Sequence, residues 1–307
     1  TSYHAAYTAK YLIEKYAGVN TFVDVASEAR YSCPQVDKST LLMAVSQSGE
    51  TIDTIEAFKN ISHKAGYTIA VVNVVGSTLS RMLHGVIYTH AGPEVGVAAT
   101  KTFISQLAVL YMFAFYMASL KGRLSRKSAG RALKNLRKIP GFIRQILRDR
   151  KKIESIAEKY CRNRDFLYYG RNINYPMALE GALKLKEISY IHAEGYAAGE
   201  MKHGPIALVD DKTPNVFIAP EGPLYEKIIS NIQEIKARAG TIIAITNSGN
   251  KTIKKFADDI IYVPDIEPDF FPLLAAIPMQ LLAYYIGVKK GIDVDKPRNL
   301  AKSVTVE

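Results

Sequence analysis

A turn rich in hydroxyl groups, Ser46-Gln47-Ser48-Gly49-Glu50-Thr51, lies between a strand-like segment and a helix-like segment. Residues 41–45 form a short apolar run before it, and residues 52–64 carry apolar side chains at helical spacing after it. Backbone N–H groups and the positive end of a helix dipole meet at such a junction, and the hydroxyl groups can add hydrogen-bond donors. The turn is therefore suited to bind a phosphate group.

Two other interpretations of this turn have to be weighed. A serine or threonine before a helix often serves only to cap its first turn, and the turn alone does not distinguish that role from phosphate binding. The segment lacks the lysine of a P-loop and the spacing of a dinucleotide-binding fingerprint, so a nucleoside triphosphate or NAD site is disfavoured.

Acid and base chemistry is suggested by a helix predicted from Tyr175 to Glu194 and entered through Pro176. Glu180, Lys184 and Glu187 are spaced i, i+4 and i+7, so they share one face of it. A row of this kind is commonly an exposed ladder of ion pairs. This helix is so rich in Leu, Ile and Ala that we expect it to be buried, and its charged row then faces a cleft or an interface.

Two further side chains could take part in chemistry. His203 lies in a turn with Gly204 and Pro205, where a histidine can act as a general acid or base near neutral pH. Lys302 lies in a polar, proline-broken tail that reads as a frayed end, or else brings an amine to a site. No set of His, Cys or carboxylate residues has the spacing of a metal site, and we expect neither a metal nor another cofactor.

The sequence contains an internal repeat at a fixed offset, which pairs Gly66 with Gly240 and runs without gaps through the following strand and helix segments. Residues 68–73 and 242–247 both read as buried parallel strands, so we predict a duplicated, doubly wound α/β unit. The same register sets the hydroxyl-rich turn against Pro220-Glu221-Gly222-Pro223, which has no hydroxyl group. Only the first copy is therefore expected to bind phosphate.

Composition favours two domains, since the 307 residues are 48% hydrophobic. The net charge of +11 arises in residues 121–152, which hold thirteen Lys or Arg and one acid, so the remaining chain is nearly neutral. Apolar residues recur there at helical spacing, which favours solvated helix faces over an anionic partner, and we do not expect a nucleic acid.

Residues 104–120 and 270–288 are apolar but interrupted by polar residues or proline, and we expect buried helices rather than membrane spans.

The compartment can be inferred from cysteine usage and from the ends of the chain. Cys33 and Cys161 lie far apart without metal-site spacing, which suits a reducing cytoplasm and predicts no disulfide framework. No signal peptide is recognisable. Because the sequence opens without methionine, we expect it to be a fragment of a longer protein.

Four motifs together resemble the glucosamine-6-phosphate synthase family, the glutamine:fructose-6-phosphate amidotransferases. They are the hydroxyl-rich turn, residues 178–190, residues 202–205 and the tail with Lys302. The resemblance covers the whole chain and implies the isomerase module, an α/β structure of two tandem SIS domains with mostly parallel sheets flanked by helices. The implied division is residues 1–130, residues 131–290 and an irregular tail, 291–307. The glutaminase domain is missing from this stretch, so glutamine hydrolysis is not expected.

The resemblance also implies conversion of fructose 6-phosphate, with ammonia, to glucosamine 6-phosphate. Glu187 would move a proton between C1 and C2 with help from Lys184, His203 from the partner subunit of a homodimer would open the sugar ring, and Lys302 would form a Schiff base. The residues implied in substrate binding are Ser2, Ser46, Gln47, Ser48 and Thr51 at the phosphate, with Val97 and Ala301 near sugar hydroxyls.

Two alternatives share parts of this pattern. A SIS-domain deaminase, which runs the reaction in reverse, would use the same turn and the same glutamate, although the tail at 298–302 favours the synthase. A sugar-phosphate sensor would keep the turn without the acid and base residues.

Overall fold

The computed structural model describes residues 1–32 and 35–302, and by contacts the chain forms two compact units. Unit 1 comprises Thr1–Leu124 and the chain from Asn299 onward, and unit 2 comprises Ser125–Arg298. Cys33 and the tail after Lys302 lie outside the described residues.

Unit 1 is built on a parallel sheet of order β1-β2-β3, with β1 Leu41–Val45, β2 Tyr67–Val72 and β3 Gly85–Tyr88. The central strand is the most buried of the three, and its residues from Thr68 to Val72 are all buried because helices cover the sheet. The helices are α1 Ser2–Leu12, continued by a wider turn Ile13–Ala17, α2 Ala26–Ala29, α3 Ile52–Ile61, α4 Thr78–Met82 and α5 Lys101–Leu120.

Unit 2 contains a larger parallel sheet of order β5-β4-β6-β7-β8. Its strands are β4 Asp165–Gly170, β5 His192–Ala197, β6 Pro214–Ile218, β7 Thr241–Asn247 and β8 Asp259–Val263. Its helices are α6 Arg126–Arg148, α7 Lys151–Tyr160, α8 Tyr175–Ser189, α9 Tyr225–Lys236 and α10 Phe271–Lys289. The chain order reverses at β4, which pairs with β5 on one side and β6 on the other, so the sheet is doubly wound.

The predicted duplication is confirmed at the level of elements. The offset that pairs Gly66 with Gly240 also brings β1, α3, β2 and β3 onto β6, α9, β7 and β8. The short helix α4 falls on a single tight turn, Thr252–Lys255. The predicted fold class, mostly parallel sheets flanked by helices in two tandem units, is therefore confirmed.

The helix predicted as far as Glu194 is wrong at its C-terminal end. α8 ends at Ser189 because Tyr190 adopts a left-handed conformation, with φ 58° and ψ 20°. The Ser189 hydroxyl donates to the carbonyl of Leu185 and accepts from the backbone N–H of Ile191, which satisfies the helix end. The residues that follow form β5, whose parallel pairing with β4 outweighs their helical pattern.

The long apolar segments are helices that contribute to the cores of their units. Lys101–Leu120 and Pro268–Lys289 are long and apolar enough to cross a membrane by length and composition, but 50% and 72% of their most apolar windows are buried inside the protein. The basic segment forms α6, which buries Ile139 and Ile146 and exposes every one of its Lys and Arg residues. That arrangement is an amphipathic helix with a solvated basic face.

Candidate active site

The hydroxyl-rich turn occupies the carboxyl end of β1, where ligands bind in sheets of this type. The buried Ser46 hydroxyl accepts a hydrogen bond from the backbone N–H of Gly49 at 3.1 Å and lies 3.3 Å from Thr51 Oγ1. Ser48 Oγ accepts from the backbone N–H of Glu50 at 3.1 Å. The turn is therefore shaped by its own side chains, with its hydroxyl groups gathered within one turn.

Thr51 holds the N-cap position of α3, yet its side chain makes no capping hydrogen bond to that helix in the described structure. Capping alone therefore does not explain why a hydroxyl group is needed there. Glu50, the only carboxylate of the turn, accepts from the backbone N–H of Thr78 at 2.7 Å, and hydrogen bonding from Thr78 lowers the pKa of Glu50. Its negative charge is engaged at α4.

Gly49 is required by the geometry of the turn. Its φ of 68° lies in the left-handed region, and a Cβ atom there would lie 2.2 Å from Ser77 Oγ. The turn is also tied to β2, because Ser46 N–H donates to the carbonyl of Val71 and the carbonyl of Gln47 accepts from Asn73 N–H. A larger residue at position 49 would displace the turn.

Ser2 is placed at the start of α1 and is held from α5. Gln106 Nε2 donates to Ser2 Oγ at 2.9 Å, and Gln106 is itself buried. Within the part of the chain that the structure describes, Ser2 makes no hydrogen bond to the hydroxyl-rich turn.

The amine of Lys302 lies against the segment that precedes α5. Its Nζ is 3.2 Å from Glu94 Oε2, 2.8 Å from the carbonyl oxygen of Gly96 and 3.4 Å from that of Val97. Two residues singled out from the sequence, Lys302 and Val97, are thus brought together. Ala301 precedes the lysine and is exposed.

Glu94 was missed by the sequence analysis. Its carboxylate accepts hydrogen bonds from Thr100 N–H at 2.7 Å, from the Thr100 hydroxyl at 3.1 Å and from the Thr102 hydroxyl. Burial is the largest single influence and would raise the pKa of Glu94, but these hydrogen bonds and the charge of Lys302 together outweigh it and lower the pKa. The available signal was a carboxylate just ahead of two threonines at the start of a long apolar helix.

The charged row on α8 is buried rather than exposed. Lys184 Nζ lies 3.4 Å from Glu180 Oε1 and 2.5 Å from Glu187 Oε2. The side chains of Glu180 and Lys184 are each 1% exposed, whereas that of Glu187 is 21% exposed. An exposed ladder of ion pairs therefore does not describe this row, and of its two carboxylates only that of Glu187 has access to solvent.

The electrostatics of the row keep its lysine charged. Burial alone would lower the pKa of Lys184, but the carboxylates of Glu180 and Glu187 outweigh it and the net pKa is raised. α8 is fixed by close packing at Gly181, where a Cβ atom would lie 2.6 Å from Met279 Sδ and 2.8 Å from the ring of Tyr168. The result is a cation fixed between two carboxylates on a rigid helix.

His203 is the last residue of a tight turn, Ala198–His203, and is exposed. Among the described residues it makes no hydrogen bond or ion pair with the α8 row. The structure thus describes the hydroxyl-rich turn and the contacts of Lys302 with Glu94, Gly96 and Val97 within unit 1, and the α8 row within unit 2. Across residues 1–32 and 35–302, no group of three or more His, Cys, Asp or Glu side chains is arranged to hold a metal ion.

Comparison with curated proteins gives relatives that share a name. The chain is 51% identical over all 307 of its residues to the glutamine–fructose-6-phosphate aminotransferase [isomerizing] of Thermus thermophilus. It is 50% identical over the same length to the protein of that name from Methanosarcina acetivorans. The chain spans about half the length of these relatives, 51% and 50%.

Solved structures of related proteins share the fold of this chain. The C-terminal domain of glucosamine-fructose-6-phosphate aminotransferase from Francisella tularensis superimposes with a TM-score of 0.92 at 39% identity, covering 96% of this chain and 83% of that one. A glucosamine-6-phosphate deaminase from Thermotoga maritima, at 22% identity with a TM-score of 0.78 and covering 98% of this chain and 87% of that one, shows the shared fold.

A family model described as the SIS domain matches residues 1–116 and again residues 160–289. The two matches follow the internal repeat and together cover most of the sequence. The chain therefore belongs to the SIS domain family and carries two SIS domains in tandem.

Proposed function

We propose that the chain converts fructose 6-phosphate and ammonia to glucosamine 6-phosphate and water, as a ketose–aldose isomerase that also exchanges oxygen for nitrogen. The first SIS domain, residues 1–130, binds the phosphate, the second, residues 131–290, supplies the acid and base residues, and the tail supplies an amine. The shared name of relatives at about half identity supports this assignment.

The observation that carries the proposal is the partly exposed carboxylate of Glu187, held 2.5 Å from the buried ammonium of Lys184. Moving a hydrogen from C1 to C2 of a ketose imine needs one base that removes a proton from one carbon and returns it to the next. A carboxylate at the surface of a rigid helix suits that task. The fixed cation beside it stabilises the negative charge and orients the group.

The other groups bind and activate the sugar. The hydroxyl groups and backbone N–H groups of the hydroxyl-rich turn hold the phosphate, which fixes the sugar through a part that does not react. The Lys302 amine attacks the C2 carbonyl of the open chain, so that an N–C bond forms and the oxygen leaves as water. Ammonia then replaces the lysine at C2, and the C1 to C2 proton shift yields the amino aldose.

The test is to measure glucosamine 6-phosphate formed from fructose 6-phosphate and ammonium chloride, with the Lys302→Met variant as a comparison. Product from the wild-type protein and little from the variant supports the proposal. Ammonia release from glucosamine 6-phosphate without the forward reaction would point to a deaminase. Binding of fructose 6-phosphate without any turnover would instead fit a sensor.

We also propose that the protein acts as a homodimer in which His203 opens the sugar ring in the site of the partner subunit. The exposure of His203 and its lack of contact with the α8 row within one described chain support this arrangement. An equal mixture of His203→Asn and Glu187→Gln proteins should regain about a quarter of wild-type activity, because half the dimers are mixed and each holds one intact site. No gain over the separate variants would contradict a shared site.

A further inference from the structure

We propose that Glu94 is a positioning residue that holds the Lys302 amine for its reaction with the sugar carbonyl. The inference deepens the proposed function and rests on it for the role of Lys302. The contact itself joins residues 208 positions apart in the sequence.

The carboxylate is held rigidly. Three donors from two residues, the N–H and hydroxyl of Thr100 and the hydroxyl of Thr102, converge on Glu94. They lie at the N-terminal end of α5, a helix of 20 residues whose dipole favours a negative charge there. The side chain of Glu94 is 5% exposed, so its charge is weakly screened and it attracts a cation more strongly than a surface carboxylate does.

The amine is held at one point of an otherwise irregular segment. From Lys290 to Lys302 the described chain forms no helix or strand, and a lysine side chain has four rotatable bonds. The ammonium group contacts Glu94 and the carbonyls of Gly96 and Val97, so its three hydrogens face three acceptors. These contacts replace the missing secondary structure and fix where the nitrogen lies.

Removing the charge of Glu94 should have opposite effects on two properties of Lys302: its access to a general reagent and its reaction with a bound sugar. The Glu94→Gln change keeps the size of the side chain and removes the charge that attracts the ammonium. A lysine released in this way meets a general amine reagent more freely, but it is less often in the geometry needed to attack a bound carbonyl. A general loss of folding would also raise acetylation and lower trapping, but it would weaken sugar-phosphate binding as well, so that affinity is measured beside the two rates.

The experiment uses the 307-residue protein and two readouts. The first is the rate at which acetic anhydride modifies Lys302 without sugar, followed by peptide mass. The second is the rate at which borohydride traps fructose 6-phosphate on Lys302. The affinity for glucitol 6-phosphate, an open-chain polyol that has no carbonyl, is measured alongside. Asp37→Asn is the matched control, because Asp37 also accepts a backbone N–H and hydroxyl hydrogen bonds in unit 1, at a turn that takes part in none of the hydrogen bonds the structure describes for Lys302.

For Glu94→Gln we expect acetylation of Lys302 to rise about tenfold, trapping to fall about tenfold and the affinity for glucitol 6-phosphate to stay unchanged. The control should match the wild type in all three. The proposal is overturned if Lys302 in Glu94→Gln is acetylated at the wild-type rate. It is also overturned if borohydride traps the sugar on Lys302 in the wild type and traps it equally fast in Glu94→Gln.

Two further outcomes are also decisive. If the wild type is not trapped at all, the Schiff-base role in the proposed function fails, while the acetylation rates still decide whether Glu94 holds the amine. If Glu94→Gln does not fold, Thr102→Val takes its place, because it keeps the carboxylate and removes one of its supports. A rise of about two- to threefold in acetylation then supports the proposal, and no rise overturns it.

Discussion

The two copies of the duplicated unit place different chemistry on matching helices. The offset of the repeat sets α1 against α8, and Lys10 then matches Lys184. The positions that match the two carboxylates of the α8 row hold apolar residues, Ala6 in α1 and Ile13 in the wider turn that continues it. The same scaffold is thus stable without the row, and we infer that the buried charges of α8 serve chemistry rather than the fold.

The matching lysines also differ in their surroundings. Lys10 pairs with Glu14 one turn further on, and the two side chains are 29% and 36% exposed, against 1% for Lys184. An exposed pair is worth little, whereas a buried cation must be matched by carboxylates to be tolerated at all. Burial therefore converts a common surface pair into a costly and specific arrangement.

The largest expected effect is on turnover and concerns the second copy. Changing Glu187 to Gln keeps the shape of the row and removes the proposed base, so the rate of the proposed glucosamine 6-phosphate formation should fall about a thousandfold. The affinity for fructose 6-phosphate, measured by calorimetry, should stay within about twofold. Glu158→Gln is the matched control, since that carboxylate is 68% exposed on α7. Turnover that survives in Glu187→Gln would remove the chemical distinction between the copies.

The next effect is on stability and compares the two lysine pairs directly. Replacing Glu180 by Gln leaves the buried Lys184 with one carboxylate, and the free energy of unfolding should fall by about 3 kcal/mol. Replacing Glu14 by Gln, in the wider turn that continues α1, should cost at most about 1 kcal/mol, since its pair with Lys10 is partly exposed. Urea denaturation of the two variants measures both values. Equal losses of stability in the two variants would show that burial does not distinguish the two lysine pairs.

A third comparison concerns the two turns after β1 and β6. The double change Ser48→Ala and Thr51→Ala should weaken fructose 6-phosphate binding at least about a hundredfold, because two hydrogen bonds to a charged group are lost and each is worth about 1.5–3 kcal/mol. Glu221→Gln is the control, since it changes the residue that matches Gln47 in the second copy. Calorimetry should show no change for it. An equal loss of affinity in both would contradict a single phosphate site.

The smallest effect is a pH dependence that should exist only in the second copy. At the start of β8, Asp259 accepts hydrogen bonds from Lys152, Lys159 and Tyr160, while the matching residue of β3 is Gly85. Burial opposes ionisation most strongly, but these partners together outweigh it and lower the pKa of Asp259.

The sign follows from that lowered pKa. The stabilisation is present above the pKa of an unfolded aspartate, near 3.9, and is lost as the pH falls through the lower folded value. Below about pH 4 both proteins lose stability. The free energy of unfolding of Asp259→Asn should fall by about 1 kcal/mol less than that of the wild type. Denaturation curves from pH 7 to pH 2 measure it. Parallel curves for the two proteins would show that this carboxylate is not stabilised by folding.

Much of the fold could be predicted because the signals are local. The buried strands β2 and β7, the duplication and the shared face of the α8 row follow from spacing along the chain, which depends only on the period of a strand or a helix. The end of α8 could not be predicted, because Tyr190 is held in a left-handed conformation where β5 begins. Pairing between strands overrides the local helical preference.

The sequence by itself determined which residues could act: a turn with three hydroxyl groups, a carboxylate and lysine row, and a lysine near the end of the tail. Only the tertiary structure decided that the row is buried, that Thr51 does not cap its helix, and that Lys302 meets Glu94. The reason is physical. Spacing fixes the face on which a side chain lies, but burial and long-range partners depend on segments far away in the sequence that pack together only in the folded chain.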